Sequence, residues 1–403
     1  MVRFADYLQR EGVEFLCVCA SESYALEDLK RHNIASTAIL PIEISPDFYY
    51  ANRAEREALV NKIASAIDNR PARVVTFCMR DLYTVSALAA KLARVAVVHL
   101  ILHIQDDLYV GQTVLEKLLY RMTGRLRFGN SKIIKFNRSL LSMLNARGGL
   151  ICMADLIAEA WRKKFGILIP HDHVVPLPSF VATPADKARR TNNRKILWIG
   201  RLVDFKIPAL LAMIDCLSVL DEYTFTIVGG GDRSAILARM KERNIQPDRV
   251  RFSGEVSYAD LEGVIADHSI GYAMGTSLVE LARFRIPVIV ALASYAHTPF
   301  RRPICGGLFF DQPRGCDGSA LAACTEDSIN VEIMGAIKTI ETDWKDVANA
   351  CYDYARLNYS AEENFSVYKN IINNAKWLSA KDKSSRIPVA PLIRRFLFAL
   401  KAR

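Results

Sequence analysis

The chain lacks several features, and each absence narrows its class. Its nine cysteines form no C-x-x-C pair and follow no regular spacing, and Cys17 and Cys19 share one strand-like run. That pattern argues against a zinc framework or a disulfide scaffold and reads the cysteines as reduced core residues. No apolar run approaches the ~18–20 residues of a membrane-spanning helix; the nearest are Val95 to Ile104 and Ile286 to Ser294. Asp6, Arg10, Glu11 and Glu14 interrupt the start where a signal peptide would be apolar, so a cytoplasmic protein is expected. There is no internal repeat, no low-complexity tract, and no D-x-D motif to hold a metal.

What is present suits packed globular domains. At 403 residues and 51% apolar content, the chain exceeds what one core usually supports, and two domains are expected. A formal charge of +10 calls for an anionic partner: nucleic acid, phosphorylated small molecules or an acidic membrane surface. Charge does not choose among them.

Helical and strand patterns alternate, the signature of an α/β protein with parallel sheets. Residues 13–20, 73–79, 95–104 and 148–154 read as buried strands of a first half. A Pro-rich, polar and basic stretch from Pro170 through PLPSFVATPADKARRTNNR reads as a linker. The pattern restarts with KILWIG (195–200), FTIVGGG (225–231), VRFSG (250–254), SIGYAM (269–274) and IPVIVA (286–291). Beyond Trp344 two helices follow, separated at Ser360. The beginning, RFADYLQREG, reads as a helix, so an initial strand and Gly-rich turn are missing.

Four short stretches carry candidate chemistry. FTIVGGGDRSAILARMKER is strand, triple-glycine turn and helix, which serves either a phosphate or a tight βα turn without a ligand. ILWIGRLVDFK sets Arg201 and Lys206 directly after a strand end, where a planar fork and a flexible point charge could clamp a diphosphate; two solvated surface cations are the alternative. His103 ends an apolar strand just before a polar loop. It is either a buried structural histidine or an imidazole that meets a substrate hydroxyl. Ser277-x-x-Glu280 reads as a capping box, or as a helix N-terminus that offers N–H groups to a phosphate with a carboxylate nearby for sugar hydroxyls.

Together these stretches resemble a known family. Residues 195–300 resemble the C-terminal nucleotide-sugar domain of GT-B glycosyltransferases, particularly glycosyltransferase family 4 (group 1). The features are GRL-x-x-x-K at Gly200–Lys206, TIVGGG, VRFSGEVSYADLEGVIADHSI, and G-x-x-x-x-E followed by IPVIVA. Trp344, Ser360, Phe365 and Tyr368 match the family's C-terminal signature, and ICMADLIAEAWRKKFGI resembles its last strand and helix before the interdomain linker.

The resemblance implies an α/β GT-B fold: two facing Rossmann-like domains with C-terminal helices crossing back to the N-terminal domain. Expected boundaries are 1–185 for an acceptor domain lacking the first strand, 193–343 for the nucleotide-sugar-binding domain, and 344–403 for helices and a basic tail packing back on the first. Gly200, Gly229, Gly230, Gly275, Thr276 and Ser277 would line the nucleotide-sugar site, with Arg201 and Lys206 holding the donor diphosphate. Glu280 would accept from the ribose hydroxyls, and His103 would sit near the reacting sugar. Catalysis would fall to His103, Arg201 and Lys206, with no metal and no cofactor beyond the nucleotide-diphosphate sugar.

The implied function is transfer of a sugar to a glycan or glycolipid acceptor hydroxyl, lipid-linked and at the inner face of a membrane, as in surface polysaccharide assembly. A nucleotide-sugar epimerase of the same fold and a catalytically silent scaffold in a membrane-associated complex are the alternatives. One departure bears on this choice. The family's retaining members usually show E-x7-E, and Tyr272 stands where the first glutamate would be.

Two basic regions remain. Residues 120–138 carry six cations and no acid, and the tail from Lys381 pairs seven cations with Asp382. Neither interleaves aromatics in the manner of a nucleic-acid platform, so no nucleic-acid partner is expected. As a helix the tail would align Leu392, Ile393, Phe396, Leu397 and Leu400, which suits an anionic membrane surface or packing on the first domain.

Overall fold

The computed structural model describes residues 2–21, 23–42, 53–102, 131–181, 193–294, 300–316, 318, 329, 331–379 and 382. His103, residues 120–130 of the basic stretch and the tail from Lys383 lie outside the described residues. The chain divides into two compact units. The first comprises Met1–Met153, Ile157–Val175 and Phe365–Arg403; the second comprises Ala154–Leu156 and Pro176–Asn364.

The first unit opens on the helix Val2–Arg10. Strands β1 (Cys17–Ala20) and β2 (Ile39–Ile42) pair in parallel, and β3 (Ala72–Thr76), β4 (Val95–Ile101) and β5 (Leu150–Cys152) form a second parallel sheet in the order β3-β4-β5. All seven residues of β4 are buried, as a central parallel strand covered on both faces requires. Its His99 is buried too, and Thr76 Oγ1 lies 2.8 Å from His99 Nδ1.

The last helix, Ala361–Asn374, joins this unit from Phe365 onward. Phe365 stacks on Phe4 at 5.3 Å between ring centroids and meets Tyr7 at 5.4 Å. Lys369 pairs with Glu11 at 2.8 Å. Past the helix, Trp377 lies under the guanidinium groups of Arg73 and Arg94, at 4.7 and 4.6 Å.

The second unit is built on a five-stranded parallel sheet in the order β10-β9-β6-β7-β8. Its members are β6 (Lys195–Ile199), β7 (Thr224–Val228), β8 (Val250–Gly254), β9 (Ile270–Ala273) and β10 (Val288–Val290). β-Branched and aromatic residues dominate these runs. Against the sheet lies the helix Ile207–Leu217, started by Pro208 in its first turn and buried at nine of its eleven positions. At ~1.5–3 kcal/mol for each large apolar side chain withdrawn from water, such a layer supplies much of the drive for this unit.

Two expected boundaries move. Pro176–Phe180, read as linker, belongs to the second unit: Phe180 is buried edge-on against Tyr352 at 5.4 Å, and its N–H donates to the Tyr359 carbonyl. The helix Trp344–Tyr359, expected to pack back on the first domain, also belongs to the second unit. Its Val347, Ala348, Cys351, Ala355 and Tyr359 are buried, most of them in that unit's main core. An apolar face at helical spacing needs a partner surface, and the sheet with the helix Thr276–Ala282 provides it.

Of the nine cysteines, eight are described and none is in a disulfide; Cys19, Cys152, Cys216, Cys305, Cys316 and Cys351 are buried. Burial pushes the thiols of Cys216, Cys305 and Cys351 up to about 12. No described helix is long and apolar enough to cross a membrane.

Candidate functional site

Strand order locates the site before any side chain does. From β6 the chain builds outward through β7 and β8, then returns to add β9 and β10 on the other side of β6. In an open parallel sheet this reversal leaves a crevice at the C-terminal ends of the two strands that flank it. Here those strands are β6 and β9, paired through Ile196 with Ile270 and Leu197 with Gly271. Gly200–Lys206 follows the end of β6 and Gly275–Glu280 follows the end of β9, so two of the segments singled out in the sequence leave the sheet from neighbouring strands.

On the β6 side, the Trp198 indole N–H donates to the Gly200 carbonyl at 3.0 Å and ties the loop to the strand. Arg201 is exposed, and its guanidinium carries no hydrogen bond or ion pair to another described residue. Lys206 begins the helix Ile207–Leu217 and folds back: its Nζ lies 5.9 Å from the Trp198 ring centroid and would stand 3.0 Å from a Cβ placed on Gly200. Lys206 thus reaches back to Gly200, the residue before Arg201.

Two members of the triple glycine serve the tight-turn reading. A Cβ on Gly229 would stand 2.1 Å from the Gly200 carbonyl oxygen, and one on Gly231 would stand 2.3 Å from that of Leu202. Leu202 and Gly231 form a parallel bridge, and the Leu202 N–H donates to the Gly230 carbonyl at 2.8 Å. These glycines let the β7 turn pack directly on the Arg201 loop, so the backbone they admit is the chain's own. Gly230 faces the exposed carboxylate of Glu255 instead, with a Cβ position 2.6 Å from its Oε1.

On the β9 side the capping box does not form. Gly275, at φ 70° and ψ −149°, is the N-cap of the helix Thr276–Ala282 and offers no side chain; Ser277 lies inside the first turn. A side chain at Gly275 would be strained in that conformation. Glu280, freed from the cap, pairs forward with Arg283, Oε1 to Nη2 at 2.6 Å. Thr276 is exposed and Ser277 half-buried. Their N–H groups, in the first turn, have no intrahelical acceptor.

Tyr272 is a core residue. It is 0% exposed on β9, its hydroxyl donates to the Ala209 carbonyl at 3.1 Å, and its ring lies 5.8 Å from that of Trp198. Burial pushes its hydroxyl pKa well above the usual value, so it stays a donor. Because β9 runs on through Ala273, the position eight residues before Glu280 sits within the strand, buried in the core.

No protein-family model and no curated protein matches the sequence. Solved structures do match its fold. A glycosyltransferase from Rickettsia africae aligns over 93% of each chain at 12% identity, with a TM-score of 0.58. Anabaena HepE in complex with UDP aligns over 92% of this chain and 94% of that one at 12% identity, with a TM-score of 0.59; its complex with UDP and glucose gives 0.55. The chain has the GT-B fold.

Within this GT-B fold the structure brings Gly200, Arg201, Lys206, Gly229 and Gly230 together and sets Gly275, Thr276, Ser277 and Glu280 on the neighbouring strand end. Sequence reasoning missed Arg283 and Glu255. The first was visible as a carboxylate and a guanidinium three residues apart on one helix face. The second depends on β8 lying beside β7, which no local pattern reveals.

Proposed function

We propose that this chain is a metal-independent glycosyltransferase of the hexosyl type that uses a nucleotide-diphosphate sugar as donor. The observation that carries this reading is the exposed, unengaged guanidinium of Arg201 at the crevice between the ends of β6 and β9, with Lys206 beside it. An Arg fork and a Lys point charge at such a crevice match a diphosphate. In the reaction the bond from the anomeric carbon to the diphosphate oxygen breaks, a bond to the acceptor oxygen forms, and the acceptor's hydroxyl proton passes to the departing diphosphate. The chain's contribution is to position the donor and stabilise the departing diphosphate through Arg201 and Lys206. Two fixed cations can supply the charge that a metal supplies elsewhere. Glu280 accepts from the ribose.

The acceptor we favour is a glycan on a lipid, in surface polysaccharide or glycolipid assembly, reached from the inner face of a membrane. The basic composition and the seven-cation tail support that choice. Deleting the chain from Lys383 should reduce binding to vesicles of anionic lipid; unchanged binding would remove the tail from the proposal.

Activity is tested by incubating the protein with UDP-, GDP-, ADP- and TDP-sugars and a membrane lipid extract, following release of nucleoside diphosphate and sugar incorporation into lipid. The expected outcome is release with one donor that requires the extract and falls at least tenfold in Arg201→Ala. Release of free sugar epimer without extract would favour the epimerase. One observation favours a silent scaffold, the burial of Tyr272 in the first glutamate's place. No turnover with any donor, alongside intact membrane binding, would support it.

A further inference from the structure

Among the ion pairs of the described residues, Glu280–Arg283 is more enclosed than most: its side chains are only 12% and 13% exposed, at 2.6 Å, with Arg239–Asp215 next at 16% and 18%. The guanidinium also lies over the Phe284 ring, 4.7 Å from its centroid. Side chains this enclosed lose more rotamer freedom than a surface pair, and a charge held there is costly without its partner. A carboxylate has about four lone-pair positions over its two oxygens, more than a single guanidinium contact occupies.

Resting on the donor-site reading above, we propose that Arg283 is a positioning residue for nucleotide recognition. It holds the Glu280 carboxylate in one orientation, so that the site distinguishes a ribose from a sugar lacking its hydroxyls. Arg283 itself need not touch the nucleotide. Its effect passes through Glu280 and is therefore read in the preference between ribonucleotide and deoxynucleotide rather than in phosphate binding.

The test measures dissociation constants for UDP, GDP and ADP and for their 2′,3′-dideoxy counterparts, in the native chain, Arg283→Met, Arg283→Lys, Glu280→Gln and the double variant Arg283→Met/Glu280→Gln. The native chain should prefer the ribonucleotide of its base by about tenfold or more, the size of a charge-assisted hydrogen bond. Arg283→Met should shrink that preference to about twofold, and Glu280→Gln should do the same. The double variant should lose nothing further, and Arg283→Lys should recover part of the preference. If Arg283→Met lowers thermal stability yet keeps the full preference, the pair only stabilises the helix and the inference is overturned. A native chain that binds its diphosphate without preferring ribose overturns the Glu280 role and the inference while leaving Arg201 in place. Binding of no diphosphate at all overturns the donor-site reading and this inference with it.

Discussion

Tyr272 shows how one residue can separate resemblance from chemistry. Aligned by motif, it replaces a glutamate; placed in the structure, it is a buried aromatic whose hydroxyl serves Ala209. Restoring the carboxylate should therefore fail as a repair. Tyr272→Glu should cost roughly 3–5 kcal/mol, because an acid would replace a fully buried ring packed beside Trp198, whereas Tyr272→Phe should cost about 1 kcal/mol for one hydrogen bond. Thermal unfolding of both variants with a turnover assay checks this. A Tyr272→Glu variant that folds as well as the native chain and gains activity would show that the position opens onto the donor. Glu280 gives a second lesson at this scale, since Ser277-x-x-Glu280 has the spacing of a capping box and yet the cap is Gly275. Spacing is legible in a sequence; the φ of 70° that makes glycine the cap is not.

Among elements, the five-stranded sheet was readable nearly to the residue because most of its strands, β7, β9 and β10 above all, are buried and spell continuous apolar runs. β2 was not read: ILPI is short, carries Pro41, and exposes that residue. The β7 turn is the case where composition left two readings open, a phosphate or a tight turn without a ligand. The geometry of Gly229 and Gly231 answers to the loop after β6. Gly229→Ala should destabilise the second unit by roughly 2–4 kcal/mol, since the new methyl meets backbone at 2.1 Å and no flexible side chain can give way. It should weaken nucleotide binding only as far as it displaces Arg201. A variant with native stability and no nucleotide binding would return the glycine to a direct phosphate role.

For the whole molecule, local patterns revealed two α/β halves but not where the chain passes between them. The unit boundaries follow from burial of Phe180 and of the Trp344–Tyr359 face, which are long-range contacts and invisible to periodicity. The proposed function rests on topology joined to two cations: the reversal of strand order at β6 and β9, and Arg201 and Lys206 after β6. That claim is tested most directly by thermal stabilisation of the purified protein with UDP, GDP, ADP, TDP and CMP, alongside Arg201→Ala. Arg201 is exposed and makes no described contact, so the variant should unfold at the native temperature without ligand. One diphosphate at 100 times its dissociation constant should add ~2.7 kcal/mol to the native chain. The variant should lose most of that, in keeping with ~1.5–3 kcal/mol for a charged hydrogen bond. Equal stabilisation of both proteins, or of neither by any of the five nucleotides, would contradict the assignment of this crevice to a nucleotide diphosphate.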